Sequence, residues 1–295
     1  MKRKLEGISG LLLATVIWGG AFVAQSAGME LIGPMTFQAI RCALAVLALL
    51  IFIPLMELGQ LDQFWTKWRN PKLWKTGTLC GLALFVATAL QQVGLVYTDA
   101  GKAGFITAMY IVIVPLLGLF FRKKPSPAAI AGIVIAVVGM YLLCCAGVTQ
   151  VNLGDLLLIG CAIAFAVQIT IVDRLSEGCD SLRLNCVQAM VVTVISAVFM
   201  LTETVSWNLV ASCWLPLSYA GVLSMGAGYS LQIIGQKRLE PTAASMVMSL
   251  ESVFAVVFGA LLLHETMTPW EIAGCILVFT AVIISQLPDK NNRRN

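Results

Sequence analysis

Two charged residues stand inside long apolar runs of the sequence, where a charge is costly. Glu251 lies about eleven residues beyond Glu240, which places it near the middle of a bilayer for a helix that rises ~1.5 Å per residue. A lone carboxylate at that depth costs several kcal/mol unless it is paired, hydrated or protonated. The position therefore predicts either an acid that couples to protons or binds a cationic group, or a permanently paired structural acid.

Arg41 is the second charge of this kind and stands near the start of another apolar run. Long basic side chains near a membrane surface often extend their charged end outward to water. The guanidinium could instead turn inward, because arginine grips carboxylates through two parallel hydrogen bonds. The inward alternative predicts contact with a ligand carboxylate or with Glu251, and the sequence leaves both alternatives open.

Amide and aromatic side chains recur within the same apolar runs. A glutamine offers two donors and an acceptor, which suits the amino, carboxyl or amide groups of a small ligand. The alternative is a hydrogen bond that holds two helices together, and aromatic residues likewise either line a cavity or pack and anchor at the interface. The residues predicted to line a cavity are Gln25, Gln168, Gln91, Gln232, Trp18, Tyr110 and Tyr229.

The sequence lacks the short motifs of nucleotide-driven pumps and of hydrolases. It contains no GxxxxGK[ST] phosphate loop, no HExxH and no GxSxG. His264 is the only histidine, and the nine cysteines include no CxxC pair, so we expect no metal site and no cofactor. These absences favour a protein that is neither an enzyme nor an ATP-driven pump.

The elements that must position these side chains are membrane-spanning helices. The chain is 59% hydrophobic and 12% charged, whereas soluble domains carry roughly 25% charged residues. Ten apolar runs each approach the ~20 residues that cross a bilayer as a helix. The runs are Ile8–Gly28, Met35–Met56, Leu73–Tyr97, Gly101–Phe121, Ala128–Cys145, Leu153–Leu175, Leu182–Thr204, Trp214–Gly235, Thr242–Leu263 and Trp270–Gln286.

The basic residues predict the orientation of these runs. If the N-terminus is cytoplasmic and the runs alternate, the cytoplasmic segments hold every lysine and arginine except Lys102 and Arg41. Lysine and arginine concentrate on the cytoplasmic side of membrane proteins. We therefore expect a multi-pass plasma-membrane protein with both termini in the cytoplasm. The net charge of +4 is small and gives no indication of nucleic-acid binding.

Three short matches recur at a nearly constant spacing and indicate an internal repeat. They divide the chain into two five-helix halves, residues 1–147 and 148–295. Because five is odd, the halves have opposite orientation, an arrangement that recurs in secondary transporters working by alternating access. Gln25 and Gln168 fall at equivalent positions, as do Gln91 and Gln232, so each pair is expected to face across the axis between the halves. The matched segments are Ala21–Gln25 with Ala164–Gln168, Leu90–Gly94 with Leu231–Gly235, and Pro127–Gly132 with Pro269–Gly274.

The sequence resembles EamA-type members of the drug/metabolite transporter superfamily over nearly its whole length. The resemblance implies ten helices, cytoplasmic termini and a central cavity lined mainly by spans 1, 3, 4, 6, 8 and 9, with spans 5 and 10 more peripheral. Family members often carry proline where Ser252 stands, so the residue that would kink the ninth span is missing here. The segments that carry the resemblance are Trp18–Phe22, Arg41–Ala43, Tyr110–Leu116, Leu250–Phe254 and His264–Thr266.

The predicted function is export of a small amino-acid-like or amphipathic metabolite by a secondary transporter in the lipid bilayer, with proton coupling left open. The alternatives are a scramblase or membrane enzyme acting on lipid intermediates, and a non-transporting membrane subunit. Ala128, Gly132 and Ala136 form a small-xxx-small stripe on the fifth run. Such a stripe lets helices approach closely, which predicts either a homodimer contact or packing within one chain.

Overall fold

The computed structural model describes residues 2–58, 61–98, 100–122, 125–144, 152–263 and 268–286. Within these ranges the chain is helical and contains no strand, so the prediction of an all-α protein is confirmed. The predicted segment His264–Thr266 and the basic residues Lys123 and Lys124 lie outside the described residues. The helices are α1 Lys2–Met29, α2 Pro34–Met56, α3 Leu61–Trp68, α4 Pro71–Leu95, α5 Ala100–Ala108, α6 Tyr110–Phe120, α7 Pro127–Cys144, α8 Leu153–Leu175, α9 Ser181–Met200, α10 Trp207–Ser212, α11 Trp214–Ser218, a π-helix Tyr219–Gly228, α12 Tyr229–Gln236, α13 Pro241–Met248, α14 Leu250–Leu263 and α15 Pro269–Ser285.

Seven helical stretches in the described part of the chain are long and apolar enough to cross a membrane. Two further apolar helices, Pro127–Leu142 and Pro269–Ser285, are shorter. All of these coincide with predicted apolar runs. The seven stretches are Lys2–Met29, Pro34–Met56, Pro71–Leu95, Ala100–Phe120, Leu153–Leu175, Ser181–Met200 and Pro241–Leu262.

The eighth predicted run is not one regular α-helix. It is divided among α11, the π-helix and α12. A π-helix bonds each amide to the carbonyl five residues back and is rare over a whole segment. The side chain of Asn185 on α9 supports this one, because its Nδ2 donates to the carbonyls of Met225 at 3.0 Å and Gly226 at 2.8 Å.

The fourth and ninth predicted runs are each interrupted near the middle. Between α5 and α6 the Val112 amide donates to the Met109 carbonyl, three residues back instead of four. Between α13 and α14, Ser252 bonds to the Ser249 carbonyl through both its amide and its hydroxyl. The missing family proline therefore does not leave the ninth run continuous, since a serine hydroxyl competes for the backbone there.

The helices pack in pairs along their lengths. α7 packs on α15, α2 on α9, and α4 on both α8 and α9, while α1 packs on α14, on α12 and on the π-helix. The small-residue stripe of α7 faces α15 in the same chain: a Cβ atom on Gly132 would lie 3.0 Å from the Ala281 carbonyl oxygen. The stripe is therefore used within the chain and offers no separate support for a homodimer.

Carboxylates tie α2 to α9 at both ends of this pair. Beyond the end of α2, Glu57 accepts hydrogen bonds from both terminal nitrogens of the buried Arg183, and Lys67 lies 2.6 Å from the same carboxylate. These hydrogen bonds, that from Arg183 first, lower the pKa of Glu57 to about 2. At the opposite end, Glu203 accepts from the backbone amides of Met35 and Thr36 in the first turn of α2.

Candidate ligand cavity

A cavity lies among the helices at the centre of the molecule. Its volume is about 30 Å³. That room corresponds to about two water molecules, so the cavity is contracted. Its lining residues are Trp18, Ala21, Phe22, Gln25, Arg41, Gln91, Tyr110, Phe165, Ile169, Ser224, Tyr229, Gln232, Met248 and Glu251.

Every residue predicted from the sequence to line a cavity does so, except Gln168. Gln168 lies one layer behind, where its Oε1 accepts from Gln232 Nε2 at 3.0 Å. Gln91 and Gln232 line the same cavity as expected from their equivalent positions, whereas Gln25 and Gln168 bond to different partners. The roles of these side chains in binding stay predictions.

Glu251 reaches the cavity from the first turn of α14, directly after the interruption of the ninth run. The residue is 6% exposed, and its Oε1 accepts a hydrogen bond from the Tyr110 hydroxyl at 2.9 Å. The Tyr110 ring packs edge-on against Phe165, with 6.4 Å between ring centroids. The acid is thus oriented by one neutral donor, and this contact joins the start of α6 to the start of α14.

Arg41 turns inward and does not extend to the membrane surface, because the residue is only 3% exposed. One terminal nitrogen donates to Gln25 Oε1, while Nε is buried and has no hydrogen-bond partner among the described residues. No ion pair within 4 Å joins Arg41 to Glu251 in that part of the chain either. A buried cation and a buried carboxyl therefore line one cavity without neutralising each other directly.

Two aromatic rings close another side of the cavity. Trp18 and Tyr229 pack with 5.1 Å between their ring centroids at 55°. The indole Nε1 of Trp18 is buried and finds no hydrogen-bond partner within the described ranges. Gly228 makes room for this indole, since a Cβ atom there would lie 2.7 Å from Nε1. The cavity thus contains a second unused donor besides Arg41 Nε.

Sequence reasoning missed several lining residues. Phe22 and Phe165 fall within the first pair of repeat matches, so the repeat itself was a signal that could have found them. Ser224 has no such signal, because it enters the cavity from the π-helix, a conformation that its local sequence does not announce. Met248 lies at the end of α13, directly before the interruption.

The fold and the cavity define a multi-pass helical membrane protein with a buried, charged centre. Two segments of the chain, residues 5–145 and 152–286, match the EamA-like transporter family. The protein belongs to this family, within the drug/metabolite transporter superfamily, and the expected resemblance is confirmed.

Several relatives match over most of their length. An uncharacterized transporter of Archaeoglobus fulgidus is 29% identical, over 97% of this chain and 87% of the relative. The threonine/homoserine exporter RhtA of Escherichia coli strain K12 is 27% identical, over 94% of this chain and 90% of the exporter. A protein known from a crystal structure shares the fold with a TM-score of 0.78 at 18% identity, covering 97% of this chain and 98% of the other. The relatives are transporters by name, in agreement with the expectation that this chain is not an enzyme.

Proposed function

We propose that the protein is a secondary transporter that exports small zwitterionic, amino-acid-like metabolites by alternating access. The observation that carries this proposal is the pair formed by Arg41 and Glu251, which line one enclosed cavity without a direct ion pair. Burying charged groups in a membrane protein is expensive, and such groups mark ligand or ion pathways. A ligand that carries both a carboxylate and an ammonium group would complement both.

Each end of such a ligand has matching groups on the chain. Arg41 Nε and Trp18 Nε1 are unused donors for a carboxylate, and a charged donor makes the stronger hydrogen bond. Glu251 and the faces of Trp18 and Tyr229 suit an ammonium group. The name of the RhtA relative, a threonine/homoserine exporter, points to the same class of compound.

The architecture proposed for this activity is ten spans in two inverted halves, residues 1–147 and 148–295, in the plasma membrane with cytoplasmic termini. Two observations support the repeat. The family matches the chain twice, once in each half. Helices at equivalent positions in the two halves also pack in equivalent ways. α7 packs on its counterpart α15, and α2 packs on its counterpart α9. The packing of α4 on α8 corresponds to that of α1 on α12 and the π-helix.

The contracted cavity supports alternating access. Space for about two water molecules cannot hold an amino acid, so the helices around the cavity must part before a ligand enters or leaves. Two similar halves that exchange conformations would open the cavity to one membrane face and then to the other. Polar pairs between helices that part, such as Lys102 with Asp155 at 2.6 Å, would then break and form alternately.

Transport of radiolabelled threonine by purified protein in liposomes tests the proposal. Wild-type protein is expected to exchange labelled for unlabelled threonine, and Arg41→Gln is expected to lower the exchange rate at least tenfold because the carboxylate loses its charged partner. Arg69→Gln, at an exposed position, is the matched control and should exchange as the wild type does. Equal exchange by wild type and Arg41→Gln, or no exchange of any amino acid by the wild type, would contradict the proposal.

The same liposomes distinguish a proton-coupled exporter from a facilitator. Glu251→Gln keeps the shape of the protonated acid and removes its charge. If Glu251 exchanges a proton for the ligand in alternation, this variant should exchange more slowly at equal pH, because the ammonium group loses its charged partner. The transport that remains should no longer respond to a pH gradient. Glu240→Gln, at an exposed position ahead of α13, should keep both activities. If the pH gradient does not change transport by the wild type, the protein is a facilitator. If the gradient still drives accumulation in Glu251→Gln, Glu251 is not the coupling acid.

A further inference from the structure

A chain of four amide side chains runs from the cavity to the π-helix. Gln232 Nε2 donates to Gln168 Oε1 at 3.0 Å, and Gln168 Nε2 donates to Gln188 Oε1 at 3.3 Å. Gln188 Nε2 donates to Asn185 Oδ1 at 2.8 Å. Asn185 Nδ2 then donates to two π-helix carbonyls and to the Ser230 hydroxyl at 2.9 Å. All four side chains are buried.

The direction of this chain is determined at its far end. Backbone carbonyls can only accept hydrogen bonds, so Asn185 must turn its Nδ2 toward Met225 and Gly226 and its Oδ1 toward Gln188. Gln188 must then donate to Asn185, and Gln168 must donate to Gln188 in turn. Amide orientation is assigned from such networks, and here every member points the same way, with its donor directed away from the cavity.

A second anchor determines the orientation of Gln232 independently. Gln236 Nε2 donates to the Ile169 carbonyl at 3.4 Å, which leaves Gln236 Oε1 to accept from Gln232 Nε2 at 3.1 Å. Rotating the Gln232 amide by 180° would place its oxygen against the oxygens of both Gln168 and Gln236. Both anchors therefore require the nitrogen of Gln232 to face its protein partners.

The oxygen of Gln232 is left for the cavity. This Oε1 is buried and has no hydrogen-bond partner among the described residues, and the residue, 2% exposed, lines the cavity. A buried acceptor without a donor is costly. Hydrogen bonds in one direction along a chain also polarise one another, which strengthens the acceptor at the cavity end.

We propose that Gln232 determines specificity by accepting a hydrogen bond from a donor on the ligand's side chain, so that the cavity prefers amino acids with a side-chain hydroxyl. This inference rests on the proposed function, in which Glu251 receives the ligand's ammonium group and Arg41 its carboxylate. The Oε1 of Gln232 then remains to face the ligand's side chain. A site built to hydrogen-bond a hydroxyl rejects the analogue that lacks it, because the site's own group is left unpaired.

Among the described residues, the cavity-lining glutamines of the first half are not left with a buried oxygen that lacks a hydrogen-bond partner, as Gln232 is. Gln91, at the position equivalent to Gln232, donates to the Thr107 hydroxyl at 3.4 Å. Where Gln188 bonds to Gln168 in the second half, Arg41 bonds to the equivalent Gln25 in the first. Arg41 is a donor only, so the first half offers donors to a carboxylate, and the acceptor on the second half serves a different part of the ligand.

Competition between threonine and valine tests the inference, since valine replaces the threonine hydroxyl with a methyl group of similar size. Each unlabelled amino acid is titrated against exchange of radiolabelled threonine in liposomes. Wild type is expected to prefer threonine about tenfold, because valine would leave the buried acceptor unpaired. Gln232→Met, which keeps the length of the side chain and removes the acceptor, should bring the preference close to one by weakening threonine binding.

Gln92→Met is the matched control. Gln92 is also a buried glutamine with an unpartnered Oε1, but it does not line the cavity. Its replacement should keep the wild-type preference. If Gln232→Met does not fold, as judged by gel filtration in detergent, Gln232→Asn withdraws the acceptor by one methylene while keeping the amide and should lower the preference.

The outcomes separate this inference from the proposed function. Equal competition by threonine and valine in wild type, or an unchanged preference in the Gln232 variant that folds, overturns the specificity role while leaving amino-acid export intact. Failure of every amino acid to compete overturns both. A preference present in wild type and Gln92→Met but lost on replacing Gln232 supports the role of the amide chain.

Discussion

The residues around the cavity are equivalent in position but different in chemistry. Gln25 and Gln168 each bond to a residue of the following span, to Arg41 in one half and to Gln188 in the other. Likewise, Glu251 matches Met109 at the interruption of the fourth run. The first half of the chain thus contributes one cation to the cavity and the second half one acid. Under the proposed function, this difference would distinguish the two ends of a ligand.

A different charged pair, outside the spans, gives a pH-dependent stability. The pKa of Glu57 is lowered from 4.5 to about 2, chiefly by the hydrogen bonds from Arg183. A carboxyl with a lowered pKa in the folded protein stabilises the fold above its ordinary pKa and loses this contribution as pH falls toward the lowered value. We expect the thermal midpoint of wild type in detergent to fall between about pH 4.5 and 2 more steeply than that of Glu57→Gln.

The exposed pair of Glu6 and Arg238 is the control for this measurement. Their charged atoms are 2.9 Å apart, and the side chains of Arg238 and Glu6 are 33% and 44% exposed. Exposed ion pairs contribute little to stability, so Glu6→Gln should keep the wild-type slope. Equal slopes for wild type and Glu57→Gln would show that the bidentate contact with Arg183 does not persist in solution.

At the scale of elements, close approach between α1 and α14 positions two lining residues. Gly19, next to Trp18, lies against the backbone of α14 at Phe254, three residues beyond Glu251. A Cβ atom on Gly19 would lie 2.6 Å from the Phe254 carbonyl carbon and 2.8 Å from the Ala255 nitrogen. Of the two roles that glycine has in such helices, hinge and packing point, this geometry supports packing. The approach sets how far the indole stands from the acid.

Alanine substitutions along α1 test this packing. Gly19→Ala should lower the free energy of unfolding by about 1–3 kcal/mol, because backbone atoms of α14 cannot yield as a flexible side chain would. Gly10→Ala on the same helix meets its nearest atom, the Leu231 carbonyl oxygen, at 3.8 Å and should be neutral or slightly stabilising. Thermal unfolding in detergent compares the two, and equal stability would mean that α1 and α14 stand farther apart.

At the scale of the whole molecule, equivalent clamps act at opposite ends of the α2 and α9 pair. Glu57 follows α2 and holds Arg183 in the first turn of α9, while Glu203 follows α9 and holds the first-turn amides of α2. Each of these carboxylates lies near a helix N-terminus, where a negative charge is favourable. Inverted halves would place these two clamps on opposite membrane faces, so the α2 and α9 pair would stay together while other helices move.

Cysteine labelling of intact cells tests this arrangement. On a cysteine-free background, Asn208→Cys, in the segment between α9 and the π-helix, should react with a membrane-impermeant maleimide from outside. Arg69→Cys, between α3 and α4, should react only after the membrane is permeabilised. Both positions are exposed, so a lack of labelling cannot come from burial. Labelling of Arg69→Cys in intact cells would contradict the proposed topology: either the orientation is the reverse or the number of spans differs.

The amino-acid sequence by itself determined the helical class, the positions of most apolar helices, the family and most of the cavity lining. These follow from apolar length, from the distribution of lysine and arginine, and from the cost of polar groups in a bilayer, which forces residues such as Glu251 and Gln232 inward. Each of these rules concerns one residue or one continuous segment, so it can be applied to the sequence without knowing which helices are neighbours.

Only the tertiary structure decided how these residues are connected. The π-helix depends on Asn185 from another helix to satisfy its carbonyls, and the free oxygen of Gln232 depends on anchors at Met225, Gly226 and Ile169. The inward turn of Arg41 and its separation from Glu251 likewise depend on neighbours distant in sequence. Hydrogen-bond direction is a property of a network closed in three dimensions, and periodicity along the chain carries no record of it.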